Sequence, residues 1–387
     1  MIYNFDALPN RRSTESLKWH AFPEDVLPMW IADMDFVSPE PVIRALRERV
    51  EHGIFGYPME TPELRQVIVD RMANLYRWTI QPEDIILVPG VVKGFNLACL
   101  SVASPGGGVL VMPPVYPPIL QAPAQTETVR QEAPLAQSED GTYQIAWDEF
   151  ETAINEHTRL FILCNPHNPV GRVFRRDELE RMAEICLRRG VVICSDEIHC
   201  DLIYRGYHHI PIASIDPEIA QQTITLMAPS KTYNIPGLQC SFAIIPNPEL
   251  RQKYQNATKG LVSWVNLMGM VAMLAAYRDG QEWLEQVLTY LECNRDFIFE
   301  YLAKECPSIR MVKPEGTYLA WLDCRETGIE GNCARFFLEK AKVALEDGSR
   351  FGREGEGFVR LNFGCPRALL MEALERMKHA LQGIGTT

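Results

Sequence analysis

Apolar positions change their spacing several times along this chain, and each change predicts a different element. Residues 1–37 carry tryptophans and prolines with little periodicity and read as irregular. Val42, Ile43, Leu46 and Val50 then recur at helical spacing. Ser38 serves as a cap, Pro39 suits the first turn and Gly53 is the stop. A second helix opens at Thr61, Pro62 and Glu63 and carries Val67, Ile68, Met72 and Leu75 on one side. Short uninterrupted apolar runs come next, at 85–88, 109–112, 160–163, 191–194, 224–227 and 242–245. Apolar on both faces, they suit buried strands of a mainly parallel sheet. Helices separate several of them, most clearly over 177–189, opened by Asp177 and closed by Gly190. The alternation predicts a doubly wound α/β architecture. Beyond about residue 250 the texture changes again, with helical stretches near 262–277 and 281–304. Then come "GTYLAWLD" (316–323), a helix near 331–345, "GFVRLNFG" (357–364) alternating as a half-buried strand, and a last helix. That mixture predicts a smaller α+β domain.

Composition narrows the class. Of 387 residues, 47% are hydrophobic and 23% charged, the balance of a soluble globular chain. The net charge of −12, with lysine and arginine scattered, argues against a nucleic-acid binder, which needs a basic face. The 11 cysteines contain no CxxC pair and read as reduced thiols of a cytoplasmic protein. The N-terminus lacks an apolar signal core, and no apolar run approaches the roughly 20 residues of a membrane helix.

Open α/β sheets bind ligands beyond the carboxyl ends of their strands, so the residues just after each apolar run carry the chemistry. "PGVVKG" (89–94) opens a helix whose first N–H groups could bind an anion. "PPVYPP" (113–118) holds Tyr116 on a stiff loop, and "NPHNPVGRV" (165–173) carries Asn168. "SDEIHCD" (195–201) carries Asp196 and His199, and "APSKTYN" (228–234) carries Lys231. An aromatic ring, an amide, a carboxylate and an amine would thus share one sheet edge. "SPGGGVL" (104–110) lacks the spacing of a nucleotide loop and reads as a turn. His208 and His209 read as surface residues, His167 as a satisfied loop histidine, and "REGEG" (353–357) as a solvated hairpin.

With "MWIADMDF" (29–36), "IFGYP" (54–58), "APSKTYNIPGLQ" (228–239) and "FVRLNFGCPR" (358–367) added in order, the chain resembles the fold-type I pyridoxal-phosphate (PLP) enzymes, the aspartate aminotransferase superfamily. The finer points resemble its cystathionine β-lyase subgroup, the MalY/PatB-type C–S lyases. The resemblance implies an N-terminal segment (1–46) associated with the small domain, a large cofactor-binding domain (47–278) and a small C-terminal domain (279–387). It implies that Lys231 holds the cofactor covalently and acts as base, that Asp196 pairs with the ring nitrogen, and that Asn168 bonds the ring oxygen. Tyr116 stacks on the ring, His199 lies beside it, and Val91, Val92 and Ser230 take the phosphate. Tyr57 reaches that phosphate from a second subunit, which makes the protein a homodimer. Arg360 grips the substrate carboxylate, with Asn168, Tyr116 and Asp33 in the substrate site. Trp30, Asp33, Tyr207 and Trp264 are wall candidates by position. The implied activity is cleavage of cystathionine or another S-substituted cysteine to a thiol, pyruvate and ammonia. Ala228, where relatives carry serine, and His199, where aminotransferases carry tyrosine, lean toward the lyase. An aminotransferase on the same scaffold is the alternative, and a PLP-binding regulatory protein a third reading.

Overall fold

Seven strands form the central sheet of the computed structural model, which describes residues 1–384. In chain order they are β1 (Ile85–Val88), β2 (Gly108–Val111), β3 (Val129–Glu132), β4 (Thr158–Cys164), β5 (Val192–Asp196), β6 (Thr223–Met227) and β7 (Ser241–Ile244). Their spatial order is β1-β7-β6-β5-β4-β2-β3. β7 runs antiparallel to both neighbours, and the other pairs observed are parallel. All six apolar runs lie in this sheet. β3 escaped the hydrophobic pattern because it is an edge strand with three of its four residues exposed.

Helices cover both faces. On one, Val91–Val102 packs against Leu226 of β6 so closely that a Cβ on Gly94 would lie 2.9 Å from a Leu226 methyl. Only glycine tolerates that approach without movement. On the other face lies Arg176–Arg189, whose end is Gly190 in the left-handed conformation. Its start is capped by Arg175 and Glu178 rather than by Asp177, which is exposed and paired with Arg175. Likewise Thr61 caps the helix Pro62–Tyr76 as expected, but Ser38 caps nothing. Its hydroxyl donates to the Asn234 carbonyl, and the helix begins one residue after Pro39.

A second, antiparallel sheet contains β8 (Arg310–Met311), β9 (Leu319–Asp323), β10 (Glu346–Asp347) and β11 (Phe358–Asn362), in the order β8-β9-β11-β10. All five residues of β11 are buried, so this strand is not half-buried as its alternation suggested. The N-terminal segment covers the face on which Arg360 and Asn362 lie. The helix expected to reach residue 345 stops at Ala341, because Lys342 turns left-handed and Val343–Ala344 pairs with Leu27–Pro28. The helix expected near 262 starts at Leu267 behind the side-chain cap of Asn266. Residues 353–357 form no hairpin; Gly355 is buried, and a Cβ there would strike the Gly348 backbone.

Residues 1–37 lack periodicity because polar bonds hold them in place of an apolar stripe. Lys18 is fully buried and donates to Asp35 at 2.7 Å. Arg11 reaches Asp35 at 2.7 Å and clasps Asp33 with two bonds of 2.9 Å, and the Trp19 indole donates to Asp35 at 2.8 Å. Removing one partner from such a buried charge cluster costs about 3–5 kcal/mol. This anchored segment carries the Trp30 and Ala32 carbonyls to the place where the two sheets meet.

Candidate active site

The carboxyl ends of β4, β5 and β6 lie level, with Cys164 opposite Asp196 and Asp196 opposite Leu226. That register brings the segments after these strands to one edge. A cavity of about 580 Å³ opens there, within the range for a small-molecule site. Its lining includes Tyr116, Val91, Val92, Asn168, Asp196, His199, Ser230, Lys231 and Arg360, so nine of the eleven candidates come together.

Lys231 sits in the one-turn helix Pro229–Thr232, started by Pro229. Its amine donates to the Ala32 carbonyl at 2.6 Å. Burial pushes the ammonium down to about 8, and Arg360 adds to the depression while Asp33 and Asp196 oppose it. Asp196, at the tip of β5, is buried and accepts one bond, from the Ile198 N–H at 3.2 Å. Burial raises its carboxyl to about 7, with Glu197 adding to the rise and the Ile198 bond and Lys231 opposing it. His199 is buried, its Nδ1 has no partner, and burial with the nearby Lys231 and Arg360 pushes it down to about 3. The ring is therefore neutral near pH 7.

Arg360 projects from β11 with one Nη donating to Asn168 Oδ1 and the other to the Trp30 carbonyl, each at 3.0 Å. Its Nε has no partner, and the guanidinium lies 5.0 Å from the Phe351 ring centre. At the opposite side the helix Val91–Val102 begins behind Gly90, whose φ of +114° disfavours other residues. The first N–H groups of a helix have no partner within it and favour an anion.

Two candidates lie outside the lining. Asp33 stays in the Arg11 clasp and acts on Lys231 through its charge. Tyr57 is 88% exposed and packs edge-on against Trp264, itself 68% exposed, at 4.9 Å between rings. Of the proposed walls, Trp30 lines the cavity, whereas Tyr207 and Trp264 do not. His209 is no surface residue: it is buried and bonds Glu197 at 2.8 Å, and Glu197 also accepts from Ser195 at 2.8 Å. This cluster braces the strand end behind Asp196. His167 is the satisfied loop residue expected, with its ring nitrogens at 3.1 and 2.9 Å from the Cys164 and Pro114 carbonyls. Sequence reasoning missed Ala32, Glu346, Arg350 and Phe351. Ala32 contributes a carbonyl, and the others stand in no motif that the strand ends mark.

The unspent groups test the implied cofactor. A buried carboxylate with one donor, an orphaned imidazole nitrogen, a half-buried amine of lowered pKa and a helix N-terminus share one cavity. PLP has a pyridine nitrogen, a ring oxygen, an aldehyde and a phosphate, and fits this donor set.

Comparison with known proteins points the same way. Residues 24–377 match the family described as "Aminotransferase class I and II". The cystathionine beta-lyase PatB of Bacillus subtilis is 40% identical over 386 residues, covering 98% of this chain and 100% of that protein. Cystalysin from Treponema denticola, whose crystal structure contains PLP, is 32% identical with a TM-score of 0.95 over 99% of both chains. The PLP-bound C-S lyase from Staphylococcus hominis is 33% identical with a TM-score of 0.93, covering 99% of this chain and 100% of that one.

Proposed function

We propose that this chain, which belongs to the class I and II aminotransferase family, is a PLP-dependent carbon–sulfur β-lyase acting on cystathionine or another S-substituted cysteine. The observation that carries the reading is the half-buried, pKa-lowered Lys231 amine sharing one cavity with Asp196 and Arg360. Bound PLP supplies an electron sink for the pair released at the substrate Cα.

Lys231 would hold the cofactor aldehyde, and its free Nζ would take the Cα proton of the substrate. A folded pKa of about 8 leaves a useful fraction of the amine neutral near pH 7 and keeps it basic enough to act. Asp196 would keep the ring nitrogen protonated, and that positive partner would offset the burial that raises its own carboxyl. Asn168 and His199 would bond the ring oxygen, and Tyr116 would stack on the ring. Val91, Val92 and Ser230 take the phosphate. Arg360 presents its free Nε to the substrate carboxylate, while its bonds to Asn168 and Trp30 fix the orientation of its fork. The leaving thiolate needs no strong acid, since thiols ionise at about 8.5.

The exposed segment with Ile54, Phe55, Tyr57 and Met59, beside Trp264, supports a homodimer in which Tyr57 reaches the partner's phosphate site. The 11 free cysteines support a cytoplasmic home, and no helix among the described residues is long and apolar enough to cross a membrane. The division at residues 46 and 278 belongs to the same reading, and the pairing of Leu27–Pro28 with Val343–Ala344 supports an N-terminal segment that moves with the small domain.

The test is to supply L-cystathionine without a keto acid and follow pyruvate and free thiol. Continuous release of both in equal amounts is expected. Conversion of at most one substrate per site to its keto acid, with the C–S bond intact and neither pyruvate nor thiol released, would instead identify an aminotransferase.

A further inference from the structure

Lys231 is held at both ends. At the tip its amine donates to the Ala32 carbonyl. At the root it stands on a single turn of helix, Pro229–Thr232, and so short a helix has little stability of its own. The neighbouring residue supplies the second hold. Thr232 is fully buried, and its hydroxyl donates to Asp201 Oδ2 at 2.8 Å. Asp201 Oδ1 accepts from Arg71 at 2.6 Å, and the Asp201 and Arg71 side chains are only 3% and 9% exposed. Arg71, on the helix Pro62–Tyr76, lies 4.7 Å from the Tyr277 ring centre. Thr232, Asp201 and Arg71 all stand outside the lining of the cavity.

Asp201 follows Asp196 and His199 on the segment that leaves β5. A charge-assisted bond therefore ties that segment to the turn that carries Lys231. A buried carboxylate is costly unless it is paired, and Arg71 is the pair that keeps Asp201 charged and in one orientation. The charges that move the Lys231 ammonium are those of Asp33, Arg360 and Asp196, so the Asp201 contact acts on where the amine sits and not on its proton affinity. We propose that Asp201, fixed by Arg71, is a positioning residue that acts through Thr232 to set the place of Lys231 relative to Asp196. Misplacing a reacting group by about 1 Å costs on the order of 10²-fold in rate. The proposal rests on Lys231 as attachment point and base, whichever substrate bond is then cleaved.

The experiment compares Thr232→Val, which keeps the shape and removes the hydroxyl, with Thr232→Ser, which keeps the hydroxyl. The full-length apo chain is mixed with PLP and reduced with borohydride at intervals, and the phosphopyridoxyl mass on Lys231 is followed by mass spectrometry. On the holoenzymes, kcat and KM for pyruvate release from L-cystathionine are measured across pH. Thr232→Val should slow attachment and lower kcat, each about tenfold, with KM within about twofold of wild type. Its acid limb should stay near 8, because the groups that set it are untouched. Thr232→Ser should remain close to wild type in both attachment and kcat. Wild-type rates in Thr232→Val, or equal losses in the two variants, would overturn the positioning role, as would a displaced acid limb. No pyruvate from the wild type would overturn the lyase reading, and the attachment rates would still decide the role of Asp201.

Discussion

The two ends of the cavity are built on different terms. At the sheltered end Asp196 and His199 are buried behind strand tips, Lys231 is deep enough to be depressed, and each has a pKa moved by burial. At the outer end Arg350 is more than half exposed, and Glu346 bonds it while lying across from Arg360. Burial makes a charge expensive and therefore chemically useful, whereas exposure makes it cheap and weak. The comparison teaches that the groups most perturbed by burial gather at the closed end, where the proposed chemistry would run.

The variant with the largest expected effect acts at the closed end. Lys231→Ala should lower pyruvate release on the order of 10³-fold or more, because it removes both the attachment and the base. Loss of less than tenfold would move the base elsewhere. Asp196→Asn should cost on the order of 10²-fold in kcat, since an amide cannot hold the ring proton by charge. An effect on KM alone would turn Asp196 into a mere binding group and blur the contrast.

Arg360 stands at the boundary between the ends. Arg360→Lys should raise KM about tenfold with a smaller change in kcat, because a point charge replaces a planar fork. A fall in kcat with KM unchanged would place Arg360 among the chemical residues. The subtlest expectation concerns pH. Lys231 must be neutral to take a proton, so kcat should rise with pH through an acid limb near 8. Asp33 holds that pKa up, so Asp33→Asn should move the limb to lower pH by less than about one unit. A shift to higher pH would contradict the assigned electrostatics.

The same contrast governs what could be read in advance. The closed end is legible because buried parallel strands are uninterrupted apolar runs, so the residues just after them are easy to find. Lys231, Asp196 and Asn168 all come directly after such runs. The outer end has no such marker. β10 has two residues, too few for a period, so nothing in the sequence marks Glu346. β3 was invisible because an exposed edge has no apolar pattern. His209 was misplaced because its partner Glu197 is twelve residues away, beyond any local signal. The anchored N-terminal segment looked structureless for the same reason: Lys18, Asp35 and Arg11 show their value only when folded together.

Reduction of the purified protein with borohydride, followed by digestion and mass spectrometry of the peptides, tests the central claim most directly. The account predicts a phosphopyridoxyl mass on Lys231. That mass on a different lysine, or on none, would contradict it.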